Sequence, residues 1–443
     1  SLEYDNFNGL KDSFATLKIN DIPIKFDITK GNQKGIPNTQ LIAEDIFLAK
    51  NILSSFDFQK EIKGSSRFKI KLTLPSFIKK QPFIDPEIEV TSKLEGISIN
   101  LPEPFTKKES SKVDLSLVFK PYLNKPPLLT FKYGDLFRGK FNFQNNTTQG
   151  FVIAGKKKQS VSIVDDKILL LGELQKLDLG SLISLGLFEK EGSGNFFVKD
   201  LIVQETNLSN LSLSKTRYKS SKTKNGFEYK FVNEDLSGIL FLPEANDRNL
   251  SFKFDFIRIN LTSNGSKDNF LSLYNSVKVE FDVSSKAIFF NGHDYGNWKF
   301  SVLPETNQLT IYDIKGTYGK WGLKKSYEGS SYLRIFKNSI GWTSSLKTNI
   351  FSGSPEKAIK QIGINPNFEL DTLSLDVDLT WNNLPWLFNY NSIRGEIFTN
   401  LNGFTIKNSG NLETQNNLLR LVNIFNITDS FEKVTNLDFR KLY

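Results

Sequence analysis

The chain has no cysteine, no methionine and one histidine in 443 residues. Without cysteine there are no disulfides, no thiol nucleophile and no cysteine-type zinc site. The lone His293 sits in Asn291-Gly292-His293-Asp294-Tyr295, which reads as a surface turn. With no second histidine, it cannot complete a metal or acid–base cluster of that kind. Long apolar runs are also missing. Nothing approaches the roughly 18–20 consecutive residues that cross a bilayer as a helix, and Ser1-Leu2-Glu3-Tyr4-Asp5 is no signal peptide. Nucleophile-elbow, phosphate-loop and dinucleotide fingerprints are absent. Gly192-Ser193-Gly194 is a bare turn.

Charge is scarce as a net quantity. Against 57 Lys and Arg stand 48 Asp and Glu, a balance of +9. The lysines are spread along outward strand positions, whereas a nucleic-acid protein concentrates them in a patch. They read as a solvated face, with an anionic membrane surface as the sharper alternative. Asp165-Asp166 reads as a hairpin turn, and Asp376 and Asp378 as solvated members of one strand face.

What the chain has is alternation. Ile97-Ser98-Ile99-Asn100-Leu101 and Val113-Asp114-Leu115-Ser116-Leu117 are two such runs. Leu250 to Phe256 (LSFKFDF), Val277 to Val283 (VKVEFDV) and Leu373 to Leu379 (LSLDVDL) repeat the pattern. A period of two places apolar side chains on one face of a strand and polar ones on the other. Phe is abundant, at 39 residues, much of it at these positions. With roughly 25–30 strands about 4.8 Å apart, one sheet would run on the order of 100 Å, and an open sheet of that size must curl, split or close.

Helical periodicity is rare. Gln175 to Leu187 could hold a short helix weakened by two glycines, and Ser354-Pro355 places an N-cap and N1 before PEKAIKQI. Asn416 to Val434 carries Leu418, Leu421, Val422 and Phe425 at helical spacing. This amphipathic helix could cap a groove, touch a membrane or pack on the sheet edge. Asn225-Gly226, Asn264-Gly265 and Asn402-Gly403 are hairpin signals. Asn145 to Gln149 and Lys215 to Asn225 read as polar loops, and no Pro/Ser-rich linker divides the chain.

Several stretches, in order, resemble the YhdP-like branch of the AsmA-like superfamily, bacterial bridge-like lipid transport proteins. Thr91 to Lys108 (TSKLEGISINLPEPFTKK) is similar to a strand running into Leu-Pro-x-Pro and a Lys. Gly172 to Leu179 (GELQKLDL), Phe289 to Leu303 (FFNGHDYGNWKFSVL) and Gly316 to Trp321 (GTYGKW) follow in the family's order. Asp371 to Asn408 supplies Trp381, Pro385 and Gly395, with Ile397 in place of a Leu. Asn416 to Arg440 is similar to the family's helix and Leu-Asp-Phe-Arg strand. The resemblance covers roughly residues 85–443, and the first 80 residues fit the strand pattern only.

The expected fold is all-β: a long, mostly antiparallel meander sheet curled into an open elongated groove, with a few short helices near the C-terminal end. Residues 1–443 are expected to form one continuous groove segment containing the helix at 416–434. The resemblance implies a periplasmic protein without cofactor, metal or catalytic activity, conducting phospholipid between inner and outer membranes. It implies an upstream transmembrane anchor, so that this chain is an internal or C-terminal-half piece. Its partners would be phospholipids and the two membranes, with no nucleic acid, acting as a monomer. The residues expected to face the groove are Ile97, Ile99, Leu101, Val113, Leu115, Leu117, Phe252, Phe254, Phe256, Val277, Val279, Phe281, Leu373, Leu375, Val377 and Leu379. Two rivals share the alternation: an outer-membrane β-barrel, faintly suggested by Leu437, Phe439 and Tyr443, and a ligand-free structural or adhesive β-sandwich array. A barrel would show aromatic girdles at strand ends, whereas Phe here sits mid-strand. A sandwich array would show groups of about seven strands with linkers.

Overall fold

A computed structural model describes most residues between 3 and 406. Breaks longer than three residues are 50–58, 76–84, 185–195, 245–249, 260–279 and 362–367, and 407–443 lie outside the description, including the expected helix at 416–434. Strands make up 71% and helices 5%, so the protein is all-β. Two compact units divide the chain, Ser1–Ser221 and Lys222–Tyr443.

The first unit begins as the expected meander. Strands Ser13–Ile19, Ile22–Gln33, Ile36–Leu48, Ile62–Pro75, Glu87–Ser92, Leu115–Lys120, Leu128–Tyr133, Phe137–Gln144 and Thr147–Ala154 each pair antiparallel with the next. The short strand Ile97–Ile99 pairs separately with Ile62–Gly64. The meander then breaks. Thr147–Ala154 is parallel to Ile168–Asp178, which is parallel to Phe196–Leu208. Asp166 therefore lies in a return path and not in a hairpin: Val161–Val164 is not a strand, and Asp166 takes the left-handed φ of 54° just before the next strand starts, while Asp165 lies outside the described residues. Parallel strands require such crossings, and they become apolar on both faces. Ile153, Leu169, Leu171 and Phe197 alternate with Val152, Leu170 and Val198 along these strands and are buried at 2–8% exposure.

Helix α1 (Leu179–Ser184) lies in the second crossing. Its N-cap is Asp178, whose carboxylate accepts from the Ser181 backbone N–H at 3.0 Å and hydroxyl at 2.7 Å. Lys215–Thr223, expected as loop, belongs instead to strand Leu211–Thr223, antiparallel to Phe196–Leu208. Its polar residues occupy both faces: Lys215, Arg217 and Lys219 are exposed while Thr216 is fully buried. Polarity hid the alternation.

In the second unit, Gly226–Val232, Leu236–Pro243 and Leu250–Ile259 form an antiparallel run. Leu250–Ile259 is parallel to Phe281–Ser285 and Ile288–Phe290. From Phe281–Ser285 the sheet continues antiparallel through Asn297–Glu305 and Gln308–Tyr318. Trp321–Lys324 and Tyr332–Asn338 share the next position, followed by Gly341–Ser352, Thr372–Asn382 and Arg394–Asn402. Helix α2 (Pro355–Gln361) starts where the Ser354-Pro355 signal places it, and Ala358 N–H donates to the Ser354 carbonyl at 3.1 Å. Among the described residues, α1 lies at mid-chain and α2 in the C-terminal part; the expected helix at 416–434 lies outside them. The mixed pairing also departs from bacterial outer-membrane barrels, whose strands are antiparallel.

Candidate functional site: cross-strand apolar rows

Paired residues of neighbouring strands point to the same side of a sheet, so the register shows whether the apolar faces line up. In the first unit, Ala43, Ile70, Val90, Leu117, Phe131, Gly139, Val152, Leu170 and Val198 are each paired with the next. At about 4.8 Å per strand this row runs roughly 40 Å. A second row beside it joins Ile28, Leu41, Leu72, Ile88, Phe119, Leu129, Phe141, Gly150, Ile168 and Phe196. The opposite side reads Lys71, Glu89, Val118, Thr130 and Lys140 along one such line.

The second unit has the same construction. One row runs Leu250, Phe281, Val302, Ile311, Leu333, Leu346 and Leu379. Another runs Phe231, Gly238, Phe254, Ser285, Trp298, Gly316, Leu323, Ile350 and Leu375. Each row crosses many strands while using one side chain from each.

These rows are not uniformly covered. Ile24, Phe26, Ile28, Leu41, Ala43 and Phe68 form a buried cluster in the first unit, at 2–8% exposure. From Ile70 to Val198 the row is half-buried, apart from Gly139. Phe231, Phe252, Phe254, Trp298 and Leu323 are likewise half-buried in the second unit. Among the described residues, these side chains shield one another laterally but keep one side open.

Rings lie over glycines on this face. A Cβ at Gly139 would stand 2.3 Å from the Phe131 ring, and one at Gly316 would stand 2.6 Å from Trp298. Phe131 and Phe141 stack at 5.6 Å with planes 2° apart. Phe254 meets Phe231 at 5.7 Å and Phe252 at 6.0 Å. Ring contacts thus join strand 128–133 to strand 137–144, and strand 226–232 to strand 250–259.

The residues expected from sequence do not share one environment. Leu115, Leu117, Phe252, Phe254 and Phe281 lie in the half-buried rows. Ile97, Ile99 and Val113 pack into the buried cluster of the first unit; Leu101 lies beyond the end of its strand, which stops at Ile99. Leu373, Leu375, Val377 and Leu379 are on the expected face but buried at 1–7%, packed with Ile359 of helix α2, Leu370 and Trp381. That end of the row is sealed by protein. Val277 and Val279 lie outside the described residues.

Phe256 is a correction. A bulge at Ser237/Gly238 pairs Gly238 with Phe254 but Ser237 with Phe256, turning Phe256 to the polar face. There its ring lies under the Arg258 guanidinium at 4.4 Å. Ile257 takes the inward place, opposite Leu236. Alternation cannot register a bulge, because the extra residue has no sequence signature of its own. The rows also contain Ile70, Val90, Phe131, Val152 and Leu170, beyond the residues expected from the sequence. Their signal was present, for example in Phe68-Lys69-Ile70-Lys71-Leu72.

The polar face carries ion pairs. Asp200 accepts from Arg217 Nε at 2.5 Å and from its NH2 at 2.6 Å, and this guanidinium holds the carboxyl below its ordinary range. Lys286 does the same for Asp255 at 2.7 Å. Asp378 has Lys347 at 3.4 Å. Asp376 is less solvated than expected: one oxygen accepts from Ser326 at 3.0 Å, and the other is buried without a hydrogen bond. His293 is exposed in a two-residue strand opposite Phe290. Among the described residues no group of three or more His, Asp or Glu could hold a metal, and no helix is long and apolar enough to cross a membrane.

The sequence model of the YhdP protein family matches residues 1–442. The chain belongs to the YhdP family. The match includes the first 80 residues, which carry no recognisable YhdP motif of their own but supply the buried flank of the rows. No curated protein and no solved structure matches the chain. YhdP membership relates it to lipid transport and to the bacterial envelope.

Proposed function

We propose that the half-buried rows of each unit hold phospholipid acyl chains, and that this YhdP-family protein conducts lipid through the periplasm between inner and outer membranes. The observation that carries the reading is the alignment of apolar side chains across strand after strand, left open on one side. An acyl chain lying along such a row gains about 0.8 kcal/mol per CH2 removed from water. The gain is nearly the same at each step, so a chain can shift along the row without leaving a deep well. Headgroups stay at the open side, which needs no specific polar pocket. No covalent chemistry is required of the protein. Phospholipids are the ligands, and the membranes are approached through parts of the protein beyond the described residues.

Photo-crosslinkers at Leu117, Phe131 and Phe254, in protein purified without detergent, test the reading. Lipid adducts are expected at these positions and not at Lys132 or Lys253 on the other face. A sandwich would give none at any position, and a membrane barrel would need detergent to stay soluble.

A further inference from the structure

The register of the first unit leaves a step in one edge of its sheet. Ser92, Leu115, Tyr133, Phe137 and Ala154 are paired in succession, and each ends its strand on the same side. On one flank the sheet continues past that line from Phe68 to Ile62, paired there with Ile97–Ile99. On the other flank it continues from Gly172 to Asp178, paired through Asn207. Six residues at about 3.3 Å make a step roughly 20 Å deep, and the intervening strands, about 4.8 Å apart, make it roughly 30 Å wide.

A hairpin fills it. Ile99 and Lys107 exchange backbone hydrogen bonds at 2.8 and 2.9 Å, and Asn100 N–H donates to Glu61 on the near flank. A turn closed by Phe105 N–H to the Pro102 carbonyl forms the tip. The Phe105 ring stacks on Phe137 of the stepped line at 5.5 Å, and the tip reaches the far flank, where the Glu103 carbonyl accepts from Asp178 N–H at 3.0 Å. Lys107, at the base, is 5% exposed and donates to the Ile97 carbonyl at 2.7 Å and the Lys108 carbonyl at 3.1 Å. Burying an ammonium is costly unless it is hydrogen-bonded, and strand pairing alone does not ask for one. Its bonds tie both arms of the hairpin to one placement.

We propose that the hairpin Asn100–Thr106 is a bar across this step that keeps acyl chains from leaving the row sideways, and that Lys107 is its positioning residue. This rests on the acyl-chain reading above. The bar shields the ends of the inward line at Leu115, Tyr133 and Phe137, which would otherwise open to solvent through the step.

The test loads the full chain with a chain-labelled fluorescent phospholipid and follows its release to acceptor vesicles. Three variants are compared: Asn100–Thr106 replaced by Asn-Gly, Phe105→Ser, and Lys107→Met. Shortening the hairpin is expected to speed release several-fold, with Phe105→Ser and Lys107→Met intermediate and the amount bound at saturation unchanged. Phe105→Ser alters only a partly exposed tip and guards against a folding defect in the shortened chain. If the parent chain binds no labelled phospholipid, the acyl-chain reading falls. If it binds and Phe105→Ser and the shortened variant both release at the parent rate, the bar falls and the row remains.

Discussion

A glycine under a neighbouring ring sets the relief of the apolar rows. At Gly139 an added Cβ would meet the Phe131 ring at 2.3 Å and the Phe151 carbonyl oxygen at 2.5 Å, so both ring and strand would have to move. Gly139→Ala is therefore expected to cost about 1–3 kcal/mol, as other overpacked sites do, read as a lower thermal midpoint. On the opposite face the Asp200–Arg217 fork is exposed, and its worth is small. The Asp200 pKa is lowered in the fold, so its contribution is complete above the ordinary carboxylate range and fades as pH falls from there through the lowered folded-state pKa. Asp200→Asn should flatten the acid limb of a stability–pH curve while changing neutral-pH stability by no more than about 1 kcal/mol.

Two strands with the same alternation have different roles. Leu250–Ile259 carries half-buried Phe252 and Phe254, whereas Thr372–Asn382 carries Leu373, Leu375, Val377 and Leu379 at 1–7% exposure beneath helix α2. Leu375→Ala is expected to destabilise by about 2–5 kcal/mol, the cost of a core cavity, in a denaturant titration. Phe254→Asp places its charge on a face open to water, so the fold should persist while lipid captured by a crosslinker at Leu240 is lost. Global unfolding of that variant would mean a sealed core and would count against the trough. The strands were legible because side-chain period reports a face directly. Which faces are covered was not, since coverage depends on α2 and on pairing between segments far apart in sequence. The bulge that turns Phe256 outward and the parallel crossing after Ala154 belong to the same class: both are fixed by non-local partners.

At the scale of the molecule, two compact units have separate buried clusters, one around Phe26 and Phe68 and one around Leu373 and Trp381. Hydrogen exchange on the Leu375→Ala variant should show faster exchange in strands 341–352 and 372–382 and unchanged protection in strands 22–33 and 36–48. Equal loss in both units would indicate one cooperative block. Family membership was readable from motif order, and the all-β class from alternation; the continuity of the rows needed the register.

Because the rows run across the strands, every hairpin inserted into the meander lengthens the path by two strand spacings, about 10 Å, and brings only a few inward side chains with it. Length and chemistry are thereby separable: a relative could fit a wider or narrower envelope by gaining or losing hairpins, with the remaining register, and the surface a chain slides on, left as they were.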